Sequence, residues 1–417
     1  MKKNINQIFG NEAYIKIYFL PWLIVLSFIL RIVTVYFFRD IHIDNEWNIL
    51  LDNLIKYKTY SLYVFDGVPV PSVLLPPTYP FFLYLVKITT SLTDYNFLYL
   101  IFLIQILLST YSVFLFYEIN QNFFSKKFSL FNSFIFSIVP LNIYSCGQIS
   151  SINLQIVFSL LFLSFLFKIT KDQKNKNILI FSLISGLLIL TRGEFILIFF
   201  LIILFVTLSK KLNLGNLLKI ISIVLLIISP YLVRNYIHFN QVFLVKSVGY
   251  NLWKGNNELS NVDGFENYKN SKFEKINSEI EKLKKNKYYE INKDNIFLRE
   301  AIYNLNKDKL KYAELYIKKF FSFYFIDVNS KYPNYYNFFH IFPLIILSIL
   351  SFPGLFIFLK KKRFENQCLG IYLFFNLLIF SVFFIIPRYK LIILPIQIIL
   401  AVYFILYVLD MLKKKNV

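Results

Sequence analysis

Long apolar runs broken by lysine-rich turns constrain this chain more than any other feature. A membrane-spanning helix needs about 20 consecutive apolar residues. Ten segments come close: 14–38, 95–118, 128–146, 152–169, 177–192, 194–209, 216–234, 338–359, 368–387 and 390–411. Hydrophobic residues make up 57% of the 417 positions and charged residues only 17%, where soluble domains carry about a quarter charged. A soluble fold has too little interior to hide that much Phe, Ile and Leu. The expected class is an all-α polytopic membrane protein with about ten transmembrane helices. Segment 79–92 opens Tyr79-Pro80-Phe81-Phe82 and carries Lys87. It is shorter and more polar, and reads as a helix lying at the membrane interface.

The net charge of +21, from 45 Lys+Arg against 24 Asp+Glu, would point to nucleic acid in a soluble chain. Here it follows the turns between spans, so no nucleic-acid partner is expected. With Lys2 and Lys3 on the cytoplasmic side, the inner loops carry Lys126 and Lys127, then Lys168, Lys171, Lys174 and Lys176. Lys210 and Lys211, Lys360 to Arg363 and Lys413 to Lys415 follow. The short outer turns, around 147–151 and at 193, have Arg192 at most. This bias places both termini on the cytoplasmic side; the expected location is a bacterial inner membrane. Counting 79–92 as a span would invert every later loop. The two cysteines, Cys146 and Cys368, then lie on opposite sides and form neither a disulfide nor a metal site. The first apolar run is too long for a cleaved signal and lacks a small-residue cleavage site.

Three regions follow: 1–234, with seven spans and a first outer loop at 39–94; a large extracytoplasmic segment at 235–337; and three C-terminal spans in 338–417. In the second outer segment, 271–290 and 293–320 place Ile296, Phe297, Ala301, Ile302 and Leu305 at helical spacing. They read as amphipathic helices against the membrane surface. No internal repeat is evident, which counts against a transporter of two related halves.

Chemistry concentrates in the first outer loop, Asp40-Ile41-His42-Ile43-Asp44-Asn45-Glu46-Trp47, followed by a proline-rich stretch from Pro69 to Pro80. The prolines forbid a continuous helix. A loop so stiffened can hold a carboxylate at fixed depth, where it could act as general base towards a hydroxyl or amine; an ordinary solvated loop is the alternative. Arg31, Arg192, Arg234 and Arg388 lie within or at the ends of spans, where a charge needs a partner or a polar cavity. Arginine's planar donors suit phosphate; snorkelling to headgroups is the alternative. His42, Asp44 and Glu46 alternate and would share one face of an extended segment, a weak signature for a divalent cation; no metal ligand is assigned. No glycine-rich phosphate loop precedes a helix, so a cytosolic nucleotide sugar is not the expected donor.

Four stretches resemble the lipid-linked-sugar glycosyltransferases of the GT-C fold, nearest the glycosyltransferase family 39 type. Its relatives include the protein O-mannosyltransferases and the lipid A aminoarabinose transferases. The stretches are Asp44-Asn45-Glu46-Trp47 leading to Asn53-Leu54; Pro76-Pro77-Thr78-Tyr79-Pro80; Ser229-Pro230-Tyr231-Leu232-Val233-Arg234-Asn235-Tyr236 with Asn251-Leu252-Trp253-Lys254-Gly255-Asn256-Asn257; and Arg388-Tyr389-Lys390 with Pro395. Thr191-Arg192 and Pro140 are weaker echoes. The resemblance implies an extracytoplasmic active site and inverting transfer from a polyprenyl-phosphate sugar to a lipid, glycan or protein acceptor. Asp44 or Glu46 would be the base, and Arg388, Tyr389, Arg234 and Arg192 would hold the donor phosphate. Tyr79, Asn235, Trp253 and Glu194 would position substrate. Many relatives keep an acid in the turn between spans three and four, whereas Cys146 to Asn153 has none; either Glu194 of the next outer turn substitutes, or the site works with the first loop's acids alone. The alternatives from other classes are a lipid-linked glycan flippase and a glycan polymerase or ligase.

Overall fold

The computed structural model describes residues 19–43, 46–93, 96–330 and 337–415. In chain order the helices are α1 (Leu20–Phe38), α2 (Glu46–Tyr57), α3 (Thr78–Ser91), α4 (Phe97–Asn120), α5 (Lys126–Ile138), α6 (Pro140–Tyr144), α7 (Ile152–Lys171), α8 (Asn175–Thr191) and α9 (Phe195–Leu208). Then come α10 (Leu214–Phe239), α11 (Val248–Gly255), α12 (Glu274–Glu281), α13 (Tyr289–Lys307), α14 (Lys309–Tyr324), α15 (Phe338–Lys360), α16 (Phe364–Ser381) and α17 (Lys390–Lys415). A hairpin of β1 (Ser61–Phe65) and β2 (Val68–Pro71) lies between α2 and α3. Asp66 and Gly67, with φ of 48° and 79°, make its turn, the left-handed pair that a two-residue hairpin loop demands.

Helices stand at all ten apolar segments, but they are not equal. Six are long and apolar enough to cross a membrane: α1, α4, α7, α10, α15, and α17 with its preceding turn. The chain is an integral membrane protein. The expected single span over 128–146 is instead two helices, α5 and α6 with its trailing turn, meeting at 60°. Pro140 causes the break, because it cannot donate to the Phe136 carbonyl. The Asn142 amide donates there instead, at 3.0 Å. Pro230 inside α10 leaves the Leu226 carbonyl free in the same way, and the Ser229 hydroxyl takes it at 3.0 Å. The apolar helices α8 and α9, of 17 and 14 residues, are shorter than a full crossing.

The bundle turns polar faces inward and apolar ones outward, as lipid requires. Along α1, Leu23, Ser27, Arg31 and Val35 recur every fourth position and are buried, while Trp22 and Phe37 are exposed. Arg31 donates to the hydroxyls of Ser109 (2.7 Å) and Ser27 (2.6 Å) and to the Ser137 carbonyl (3.3 Å). It therefore clasps α4 and the end of α5 inside the bundle, with no route to a headgroup. Around it, α8 packs between α7 and α10, and α15 lies along α17.

Basic turns gather at one end. The Lys171 ammonium donates to Asn122 (2.5 Å), Arg363 to the Asn122 carbonyl (3.1 Å), and Gln173 to the Lys211 carbonyl (3.1 Å). The 20 residues of α7 run from that end to Ile152, about 30 Å away.

At the far end the segments 39–94 and 235–337 pack on each other. Of the apolar stripe expected on the membrane surface, Ile296, Phe297 and Ala301 bury against Trp253, Phe273, Ile276 and Ile280, whereas Ile302 is exposed. For the buried part α11 supplies a tryptophan, fully buried and 4.9 Å from the Phe297 ring. Asp294 of α13 caps α11 by accepting the N–H groups of Gly249 (3.1 Å) and Tyr250 (2.8 Å). Burial raises the Asp294 carboxyl above its ordinary value, against the pull of those two donors.

Candidate active site

Where the spans end opposite the basic turns, a cavity of about 390 Å³ opens. It brings together residues that sequence reading placed hundreds of positions apart: Glu46, Arg192, Glu194, Arg388 and Tyr389 all line it. Glu46 is the first residue of α2 and is exposed, a position where the helix N-terminus favours a carboxylate. Arg192 ends α8; its Nε donates to Gln155 Oε1 at 3.0 Å, and its guanidinium carbon sits 4.9 Å from the centre of the Tyr389 ring. Tyr389 is itself wedged against Phe380 and Phe384.

The cavity also holds groups that the sequence reading passed over. Lys254 lies 4.5 Å over the Phe384 ring and forms an ion pair with Glu266, both within the lining. Burial, reinforced by the nearby Glu266 and Glu46 carboxylates, holds the Tyr250 phenol far above its ordinary range. It therefore stays protonated and can donate. Lys254 was visible inside Trp253-Lys254-Gly255, whereas Glu266 followed only a turn signal, Asp263-Gly264. The stretch from Asn251 to Asn257 is chiefly a docking device. Asn256 donates to the Val382 carbonyl (2.9 Å) and Asn257 to the Phe265 carbonyl (2.8 Å).

Four expected site residues lie outside the lining. Tyr79 is buried beneath Trp47, with ring centres 5.1 Å apart, so it props the cavity wall. The Arg234 guanidinium donates to the carbonyls of Ser72 (2.7 Å) and Tyr60 (3.3 Å), which occupies it with the first loop. Asn235 donates to the Phe243 carbonyl at 2.8 Å, and Trp253 belongs to the core under α13. Asp44 lies outside the described residues. Lys390 donates to the carbonyls of Tyr324 and Phe325 and to Ser348, so it anchors α14.

This architecture is similar to that of solved membrane enzymes. Archaeal oligosaccharyltransferase AglB from Archaeoglobus fulgidus, solved with an inhibitory peptide and a dolichol-phosphate, superposes with a TM-score of 0.54. The identity is 12%, over 97% of this chain and 52% of that one. A second structure of the A. fulgidus enzyme, tethered to an acceptor peptide, gives 0.57 at 13% identity, over 96% and 51%. The chain has the GT-C fold. It spans about half the length of these relatives. Residues 76–233 of this GT-C chain match the dolichyl-phosphate-mannose-protein mannosyltransferase family. ArnT from Cupriavidus metallidurans bound to undecaprenyl phosphate aligns at a TM-score of 0.43 and 10% identity, over 91% of this chain and 78% of that one. No curated protein matches it in sequence.

In the GT-C chain the turn at 147–149, which lacks an acid, is bound by one from the neighbouring loop. Asp40 accepts the Ile149 N–H at 2.8 Å, and its own N–H donates to the Gly147 carbonyl at 2.7 Å. The segment after α1 and the turn before α7 are thereby tied together beside the cavity. Among the described residues, no three His, Cys, Asp or Glu side chains converge to hold a metal ion. Three neutral polar side chains within the helices also have local partners. Gln105 donates to the Cys146 carbonyl (2.9 Å), Asn132 to Asn120 (2.6 Å) and Asn376 to the Tyr372 carbonyl (2.7 Å).

Proposed function

We propose that the chain is an inverting glycosyltransferase, moving a sugar from a polyprenyl-phosphate donor to a lipid, glycan or protein acceptor on the extracytoplasmic face. One observation carries this reading: Glu46 shares a cavity with Arg192, Lys254 and Arg388 at the end of the bundle remote from the basic turns. By the charge bias of membrane loops, that end is extracytoplasmic. A prenyl tail lies in lipid and its phosphate at the bilayer edge, where guanidinium forks bind two oxygens at once. The match of 76–233 to a dolichyl-phosphate-mannose-dependent family, and the GT-C fold shared with an enzyme solved with dolichol-phosphate, support the same donor class.

The acceptor oxygen attacks the anomeric carbon on the side opposite the phosphate while Glu46 takes its proton. The bond from that carbon to the phosphate oxygen breaks, and its electron pair leaves with the polyprenyl phosphate. Arg192, Arg388 and Lys254 hold the charge that develops there. A single displacement inverts the anomeric centre. Asp44, two residues before Glu46, is the other candidate base; Glu194 and the protonated Tyr250 can orient sugar hydroxyls.

The test is transfer from a radiolabelled polyprenyl-phosphate sugar by the full chain in membranes. Glu46→Gln and Asp44→Asn are expected to leave folding intact, and loss of the true base lowers the rate by about 10²–10⁴. Undiminished transfer by the double variant would overturn the reading.

A further inference from the structure

Glu290 lies in the first turn of α13, yet its side chain serves the loop between β2 and α3. It is 1% exposed, and its Oε2 accepts the Ser72 hydroxyl (3.0 Å) and the Val73 N–H (2.7 Å), 217 residues away in sequence. The other side of the same turn is held as firmly. Arg234 of α10 donates to the Ser72 carbonyl at 2.7 Å, and the Lys246 N–H donates to the Val73 carbonyl at 2.7 Å. The Tyr60 hydroxyl donates to the Leu75 carbonyl at 2.8 Å, and the Tyr231 hydroxyl reaches it at 3.4 Å. Residues 72–75 belong to no helix or strand, so these groups replace the ladder that backbone polar atoms otherwise need. Immediately afterwards, Leu74, Leu75 and Pro76 form one wall of the cavity.

We propose that Glu290 is a positioning residue for sugar transfer: with Arg234 it clamps Ser72–Val73 and so fixes the Leu74–Pro76 stretch of the lining that the cavity shares with Glu46, Arg192 and Arg388. The inference rests on that cavity being the transfer site. The clamp is also sensitive to pH. Burial pushes the Glu290 carboxyl up to about 7, against the Val73 N–H, the Ser72 hydroxyl, Arg234 and the Leu74 N–H; Tyr60 and Tyr231 face it as well. A carboxyl raised in the folded state stabilises fully below its unfolded value of 4.5, and that contribution is lost as pH rises through about 7.

Two readouts on the purified full chain test this: hydrogen exchange of the peptide 70–77, corrected for intrinsic rate, and kcat and KM for a polyprenyl-phosphate sugar, each at pH about 6 and about 8.5. Wild type should lose protection of that peptide at the higher pH, and kcat should fall with it. Glu290→Gln, which keeps an acceptor but does not titrate, should show flat protection and a flat kcat ratio. Glu290→Ala should lose protection at both pH values and lower kcat by up to about 10²-fold, the cost of a wall misplaced by about 1 Å. Should Glu290→Ala not fold, the flat profile of Glu290→Gln carries the test. Normal protection in Glu290→Ala, or a Glu290→Gln profile that still follows pH, overturns the clamp. Lost protection with unchanged kcat and KM overturns the positioning role alone. A wild-type chain that transfers no sugar refutes the function itself, a separate failure.

Discussion

Replacing Gly255 by alanine tests how closely the outer domain must approach the cavity. A Cβ built there would lie 1.9 Å from the Phe383 carbonyl oxygen and 2.5 Å from its carbon. Those atoms are backbone, so no side-chain rotation relieves the overlap. Asn256 holds the Val382 carbonyl at 2.9 Å, and the Ile385 N–H holds the Val262 carbonyl at 2.9 Å, fixing the contact on both flanks. Ordinary contact begins at 3.4 Å, so the segment leading to Arg388 must retreat by about 1.5 Å. Overpacking of this kind costs about 1–3 kcal/mol, and misplacement by about 1 Å near a reacting centre lowers rate by about 10²-fold. The assay pairs thermal unfolding of the detergent-purified chain with sugar transfer. Gly67→Ala is the comparison: nothing lies within 4 Å of its Cβ, though its φ of +79° makes alanine strained. It should cost about 1 kcal/mol in the hairpin and leave transfer near wild type. A Gly255→Ala chain that melts and transfers normally, or a Gly67→Ala chain equally inactive, would refute the reasoning.

Trp253→Ala empties the core between α11 and α13 and should destabilise the outer domain by about 3–5 kcal/mol, read as early loss of exchange protection over 248–307. Arg192→Ala and Arg388→Ala should each weaken polyprenyl-phosphate binding by about tenfold or more, as loss of a charged hydrogen bond worth about 1.5–3 kcal/mol implies. Arg234→Ala, whose contacts are with loop carbonyls, should lower thermal stability and raise the Kd less than either. Lys319 is buried, donates to the Gly255 carbonyl at 2.7 Å, and burial lowers its pKa to about 7. Its contribution is present above the unfolded value of 10.5 and lost as pH falls through about 7. Lys319→Met should therefore remove a loss of stability seen on acidification, measured by unfolding at several pH values.

The sequence carried the helices because lipid imposes length and hydropathy directly, and the lysine turns marked one end of the bundle. Pro140 also announced the break in the third segment, although the apolar run on either side of it read as one span. The hairpin had its signal in Asp66-Gly67 and was hidden by the surrounding prolines. Amphipathic pattern alone could not tell a membrane surface from a protein one, because Phe297 and Ile296 suit both; only the position of Trp253 decides. Of the charged residues singled out in the sequence, Glu46, Arg192 and Arg388 reach the cavity lining. Arg234 looked the same in sequence and differs only in having the Ser72 and Tyr60 carbonyls within reach. Glu290 and Asp40 were illegible as anchors, since each depends on a backbone N–H contributed by a segment more than 100 positions away.

The most direct measurement is a structure of the full chain with undecaprenyl phosphate added. The account places the phosphate inside the cavity, within hydrogen-bond reach of Arg192 and Arg388 and on the side facing Glu46. A phosphate bound against the lysine-rich turns, or elsewhere with the cavity empty, would contradict it.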